Sequence, residues 1–274
     1  MKITTLAFST LLMLAALPAS SAESAWWLQP QRLLQTNLRE IDARMDLDAY
    51  VAAAQDSGAN IVLFNTGGIV ANYPTALPFH FRNPNLQGDF AGEVVRRLHA
   101  AGIRVLARFD FSKVNEQIIA AHPEWQSRDR AGRPYPPYNG QVPTCLNSWY
   151  QQEGMLQILG EVIDRYPVDG VFFNMIGYPR RDYSGRALGI CQCDNCRTRF
   201  RARHQLELPV DDQADAAVLR AYAEFTQSTT SEQFQRVNAF IKGRNPGILL
   251  VGNWIFLGVG RGGVCSHHQS FRLA

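Results

Sequence analysis

Short apolar runs alternate with longer amphipathic stretches along this chain, and that alternation carries most of its fold information. Residues 59–65 (Ala-Asn-Ile-Val-Leu-Phe-Asn), 103–109, 168–175 (Val-Asp-Gly-Val-Phe-Phe-Asn-Met) and 248–254 are compact apolar blocks. Blocks of this length and composition read as strands buried on both faces. Residues 32–41, with Gln35-Thr36-Asn37-Leu38-Arg39 alternating, read as a first strand. Helical patterns fill the intervals. Asp46 or Asp48 caps a helix that runs to Asp56 and stops at Gly58, and residues 90–101 form an amphipathic helix stopped by Gly102. Further helices are expected over 114–121, 153–166, 194–204 and 214–243, while residues 126–147, rich in Pro, Gly and Tyr, read as an excursion. Strands separated by helices predict a parallel sheet built from βαβ crossovers.

Two parallel architectures compete. A doubly wound sheet calls for a phosphate-binding Gly turn after its first strand, and none is there. A TIM-type (β/α)8 barrel places its polar functional residues at the C-terminal strand ends. Those ends read Asn37 and Arg39, Asn65, Arg108 and Asp110, Asn174, then Asn253 and Trp254. This pattern favours the barrel. Only five strands are visible where a closed barrel has eight, so the expected fold is an incomplete barrel over residues 23–257, with an open five-stranded sheet as the alternative. Residues 258–274 carry no strand or helix period and are expected to be an irregular tail. Gly258, Gly260 and Gly263 match the dinucleotide fingerprint formally, but the eleven residues that follow leave no room for a βαβ unit.

The first 22 residues stand apart. Lys2, the apolar run Ile3–Leu17 and the small residues Pro18 to Ala22 form the three parts of a secretory signal, which predicts a periplasmic or secreted protein. The run is short for a membrane span, and no later stretch is apolar enough for one, so no membrane partner is expected after cleavage. A hydrophobic content of 46% with 19% charged residues excludes disorder as the main state. The net charge of +3 is too small to argue for a nucleic-acid partner. Five Trp, nine Tyr and fifteen Phe suit a core, and also a sugar-binding cleft. Oligomeric state stays open.

The most specific chemical signal is Cys191-Gln192-Cys193-Asp194-Asn195-Cys196, with Cys145 forty-six residues upstream of Cys191. Three closely spaced thiolates and a fourth from another loop suit a closed tetrahedral zinc site of structural type. Disulfide pairing of Cys145 with one of the three, as suits an exported chain, and free thiols are the alternatives.

The cysteine block, followed by Arg197-Thr198-Arg199-Phe200, resembles the zinc-bearing β-galactosidases of glycoside hydrolase family forty-two. Other blocks resemble the hypothetical glycosyl hydrolase group near the α-L-fucosidases. These are Asn65-Thr66-Gly67-Gly68-Ile69 with Tyr73-Pro74, Ala107 to Lys113, His122-Pro123-Glu124-Trp125, and Val168 to Phe173. Over residues 30–205 the resemblance implies a carbohydrate substrate and hydrolysis of an O-glycosidic bond.

Such hydrolysis ordinarily uses two carboxylates flanking the scissile bond. By either resemblance the fourth strand would end in one, yet this chain has Asn174 there. An amide cannot act as nucleophile or acid at neutral pH. Asp110 is the strand-end carboxylate that remains, so it is the candidate catalytic residue, with a helix cap or a pairing with Arg108 as the plain alternatives. Asn37, Arg39, Asn65, Arg108, Asn174 and Trp254 are the candidate carbohydrate contacts. Trp125, Trp149 and Tyr73 are further candidates for stacking on a sugar face, or for packing. The expected function is that of an exported glycoside hydrolase-like protein. The alternatives are a non-catalytic carbohydrate-binding relative and an inactive fragment of a broken glycosidase gene.

Overall fold

The computed structural model describes residues 26–179, 181–182, 185–260 and 263–273, with the backbone alone from 254 on. Met1–Pro30 and Gln31–Ala274 are separate compact units. In the first, Trp26–Leu28 forms a 3₁₀ turn in which the two indole rings meet edge to face at 5.6 Å.

The second unit is built on one six-stranded sheet. Its strands are β1 (Leu33–Gln35), β2 (Ile61–Gly68), β3 (Arg104–Asp110), β6 (Gly170–Gly177), β7 (Leu249–Gly260) and β8 (Gly263–Leu273), hydrogen-bonded in that order. The first five run parallel, with Leu34 opposite Val62, Val62 opposite Val105, Ala107 opposite Val171 and Val171 opposite Leu250. Spatial order follows chain order without reversal, so the topological switch point of a doubly wound sheet is absent among the described strands. The architecture is a curled part-barrel of five parallel strands with helices. The helices are α1 (Leu47–Asp56), α2 (Phe90–Ala100), α3 (Glu116–Ile119), α4 (Met155–Arg165), α5 (Asp194–His204) and α6 (Ala216–Arg244).

Side chains on a strand alternate between its two faces, which sorts this sheet cleanly. Val62 and Phe64, then Val105, Ala107 and Phe109, then Val171 and Phe173 belong to one buried cluster with Val94 and Leu98 of α2, Ile158 and Leu159 of α4, and Val237 and Ile241 of α6. The positions between them face the other way. There Leu63 and Leu106 are buried and lead along their strands to Asn65, Arg108 and Asp110. An apolar floor that turns polar towards the C-terminal strand ends is the layering of a barrel interior.

The opposite end of the sheet is closed by Asp169. Its Oδ2 accepts from Val105 N (2.8 Å) and bonds His99 Nε2 (2.7 Å), while its carbonyl accepts from Leu249 N (3.0 Å). One residue thereby ties β3, β6, β7 and α2 together at the N-terminal end.

Three expectations need correction. The first strand ends at Gln35 rather than 41, because Glu40–Arg44 coils into a 3₁₀ turn whose Asp42 carboxylate accepts from Arg39 N at 2.7 Å. The helix expected over 114–121 is only α3, because Lys113–Asn115 (β4) pairs antiparallel with Gln141–Pro143 (β5) from the excursion, Val114 facing Val142. The tail expected to be irregular from 258 instead continues β7 to Gly260 and returns as β8, Val259 facing Val264 and Leu250 facing Leu273. Edge pairing of this kind satisfies backbone groups whatever the side-chain pattern, so a search for periodicity does not register it.

Candidate functional site

The C-terminal strand ends surround a cleft of about 280 Å³ lined by Asn37, Arg39, Glu40, Asn65, Arg108, Asp110, Lys113 and Gln141 among others. Two of the strands carry an irregularity near it. β2 shifts register between Asn65 and Gly67, and β6 does so between Phe173 and Ile176. Within the second shift Met175 takes φ +58°, a left-handed conformation unusual for a residue with a long side chain. Bulges and positive φ at non-glycine residues concentrate where a strand end is re-aimed for function. Asn174 lies at that bend.

Asp110 is buried on the cleft floor. Its Oδ1 accepts from Ser112 N (3.0 Å) and Ser112 Oγ (2.5 Å), and its Oδ2 accepts from Asn174 Nδ2 (2.9 Å), the residue opposite in register. Three donors therefore hold one carboxylate still. Asn65, with its amide nitrogen turned to Thr36 O (2.8 Å), accepts from Arg108 Nη1 (3.2 Å). Burial pulls the Lys113 ammonium below the usual lysine range, Asp110 pulls it back, and Arg108 adds to the fall.

Behind the floor lies a buried polar chain. Gly68 N donates to His80 Nε2 (3.2 Å), His80 Nδ1 bonds Tyr73 Oη (3.3 Å), and Tyr73 donates to Glu161 Oε2 (2.9 Å). Glu161 also accepts from Thr75 Oγ1 (2.6 Å) and Ala76 N (2.7 Å). Burial works to raise the Glu161 carboxyl, but these bonds outweigh it and hold the group below its usual value. Burial forces His80 down to about 4, against the pull of Glu161. The unfolded chain binds a proton at His80 near pH 6.5 and the native state does not until about pH 4, so the stability held at neutral pH falls through that window. The expected loss is about 3 kcal/mol between pH 7 and 4, from ~1.4 kcal/mol per pH unit for one such group. Urea midpoints at pH 7.5 and 4.5 measure it. A His80→Gln variant with the same acid sensitivity as the parent would assign the loss elsewhere.

The candidate positions divide as follows. Asn37, Arg39, Asn65, Arg108 and Asp110 line the one cleft, and Asn174 reaches it through Asp110. Trp254 lies in β7, with its side chain outside the described residues. Tyr73 and Trp125 are core residues: Tyr73 is fully buried on His80 and Glu161, and Trp125 is buried flat against His122 at 3.9 Å. Neither is free to receive a sugar. Trp149 is partly exposed, with Phe79 against its ring at 5.1 Å. Glu40, Ser112 and Gln141 were not singled out by the sequence. Glu40 and Arg39 would face opposite ways on a strand, and only the 3₁₀ turn lets both line the cleft.

The cysteines form a second, separate centre. Sγ atoms of Cys145, Cys191, Cys193 and Cys196 all lie within 4.8 Å of one another, with Cys145 at 3.3 Å from both Cys193 and Cys196. All four are free thiols. Nitrogen donors surround the sulfurs: Asn147 N reaches Cys145 (3.3 Å), Asn147 Nδ2 reaches Cys196 (3.2 Å), and Arg128 N reaches Cys191 (3.5 Å). Hydrogen bonds from Cys145, Cys193 and Cys196 hold the Cys191 thiol well below its ordinary value. A buried group of four sulfurs with donors aimed at them can hold a metal ion.

No curated protein matches the chain in sequence. Residues 46–175 match a family described as hypothetical glycosyl hydrolase 6. In structure the chain is similar to the α-L-fucosidase isoenzyme 2 of Paenibacillus thiaminolyticus (TM-score 0.62, 18% identity, 82% of this chain and 32% of that one). It is also similar to the β-galactosidase of Halorubrum lacusprofundi (TM-score 0.58, 16% identity, 81% and 36%). The β-galactosidase of Bacillus circulans sp. alkalophilus is a third such neighbour (TM-score 0.58, 14% identity, 81% and 36%). The chain thus spans about a third of the length of these structures. Residues 46–175 carry the sequence pattern of hypothetical glycosyl hydrolase 6, on a part-barrel scaffold of the kind found in fucosidases and β-galactosidases.

Proposed function

We propose that this protein is an exported, glycoside hydrolase-like protein that takes a carbohydrate in the cleft at the C-terminal strand ends. The observation that carries this reading is the convergence of Asn37, Arg39, Asn65, Arg108 and Asp110 on one cleft, at the place where barrel enzymes keep their chemistry. Amide, guanidinium and carboxylate groups in a concave site suit the hydroxyls of a sugar. Two carboxylates, Glu40 and Asp110, line the cleft, which supports hydrolysis of an O-glycosidic bond with Asp110 as a catalytic residue. Export rests on the leader-like residues 1–22.

A second reading, binding without turnover, is favoured by Asn174. An amide stands where the resemblance expects a carboxylate, and it occupies one oxygen of Asp110. Reducing-sugar release from a panel of oligosaccharides separates the two. Hydrolysis predicts turnover that falls about 100-fold or more in Asp110→Asn, the range for a lost general acid or base. Saturable binding by the parent protein with no release of reducing sugar would establish the second reading instead.

The metal proposed for the cysteine centre is zinc. At a Zn–S distance of about 2.3 Å a tetrahedral site has sulfurs roughly 3.8 Å apart, which falls inside the spread of this cluster. Cys145, Cys191, Cys193 and Cys196 would hold the ion, and four sulfur ligands leave no open position, so its contribution is structural.

A further inference from the structure

We propose that the cleft is selective for an acidic saccharide, one carrying a carboxylate or sulfate group, with Arg108 and Arg39 as its anion contacts. The inference rests on the carbohydrate reading above and narrows its substrate class.

Arg108 carries the argument. A guanidinium offers five N–H donors, and here the partner found is the amide oxygen of Asn65. Its Nε is buried with no hydrogen-bond partner and out of a ligand's reach, so the terminal guanidinium nitrogens are what the residue can offer to the cleft it lines. Asp110 follows two positions along the same face and keeps its charge, with Ser112 and Asn174 hydrogen-bonded to its two oxygens. Asp110 and Glu40 offset part of this charge, but three cations face two carboxylates across the described lining, so an incoming anion meets a net positive wall. Arg39 adds a second guanidinium at the rim, its side chain 79% exposed and its ion pair with Asp42 stretched to 3.8 Å. Lys113 adds a third positive group to the lining, against the carboxylates of Glu40 and Asp110.

The composition of the wall points the same way. None of its described lining residues is aromatic. A neutral sugar is commonly held by stacking on such rings, and this cleft offers charge in their place. Arg is suited to planar, paired recognition of a carboxylate or sulfate edge.

A glycan array spanning uronate-containing, sulfated and neutral oligosaccharides tests the proposal on the full chain, followed by calorimetry on matched acidic and neutral ligands. The expected result is binding of an acidic glycan about tenfold or more tighter than its neutral counterpart. That preference weakens as salt rises from about 50 to 500 mM, as screening requires. Which acidic class is bound separates a uronate from a sulfated ligand. Arg108→Gln is expected to abolish the preference. Arg39→Ala, at an exposed position where folding is not at risk, is expected to reduce it about threefold. A neutral glycan bound as tightly as its acidic counterpart, or a preference that survives both substitutions, would overturn the acidic proposal and leave the carbohydrate reading standing. Binding of no glycan of any class would overturn both.

Discussion

Cys145→Ser is expected to lower the melting temperature by about 10 °C or more, the largest effect of any single substitution outside the cleft. Cys145 ends the excursion, while Cys191, Cys193 and Cys196 belong to the loop and helix start after β6, so the cluster joins segments far apart in the chain. If the cluster holds the zinc proposed above, the binding free energy is folding free energy. Serine is a poor substitute for a soft sulfur ligand, and loss of a structural metal ranks among the few changes that exceed about 4 kcal/mol. At this chain length that loss corresponds to roughly 10 °C. Thermal melts of the parent with and without a strong chelator, beside melts of Cys145→Ser and a metal assay, test the idea together. Chelation and substitution should move the melt in the same direction, and the assay should return about one zinc per chain. An unshifted melt in Cys145→Ser, with no metal in the parent, would remove the metal centre from the account.

Gly68→Ala is expected to be the most damaging change in the backbone behind the cleft floor. Gly68 lies opposite Asp110 in register and takes φ +97°, outside the range that a side chain tolerates. A methyl group there would also lie 2.7 Å from both N and C of Asp110. Its own N–H and carbonyl are engaged, by His80 and by Tyr150 Oη, so the peptide cannot swing aside without breaking a buried bond. Strain and overpacking together suggest a loss of about 3 kcal/mol or more, with the Asp110 backbone pushed out of place. Gly88→Ala provides the comparison. It shares a positive φ of +65° but meets nothing within 4 Å, so it should cost only about 1 kcal/mol. Chemical denaturation of the two variants, with glycan titration of each, separates backbone strain from contact. Equal costs in the two would show that the close approach to Asp110 contributes nothing.

The strands and long helices were legible because burial is periodic. The run 103–109 became β3, the pattern 90–101 became α2, and Asp46, one of the two caps expected, caps α1 by accepting from Asp48 N and Ala49 N. Boundaries failed where long-range pairing overrode local pattern, as at β4 with β5, and where a turn ended the first strand early. The cleft was legible at the strand ends, where polar residues interrupt apolar runs. It was not legible at Glu40 or Gln141, which enter from a turn and a hairpin and carry no period. His80 and Glu161 were invisible for a different reason: their role depends on a hydrogen-bonded chain between residues as far as 88 positions apart.

The clasp formed by Asp169 bears on how such a scaffold can be altered. Two carboxylates sit at opposite ends of neighbouring strands, Asp169 before the first residue of β6 and Asp110 at the last residue of β3. One binds only protein groups and the other borders open space. On the function proposed above, cohesion and recognition fall to separate rims of one sheet, several residues apart along the strands. Residues at the recognising rim can be exchanged, by selection or by an engineer, while the far rim keeps the strands in step. A ligand preference could drift across a lineage without the loss of foldedness that remodelling a shared rim would bring.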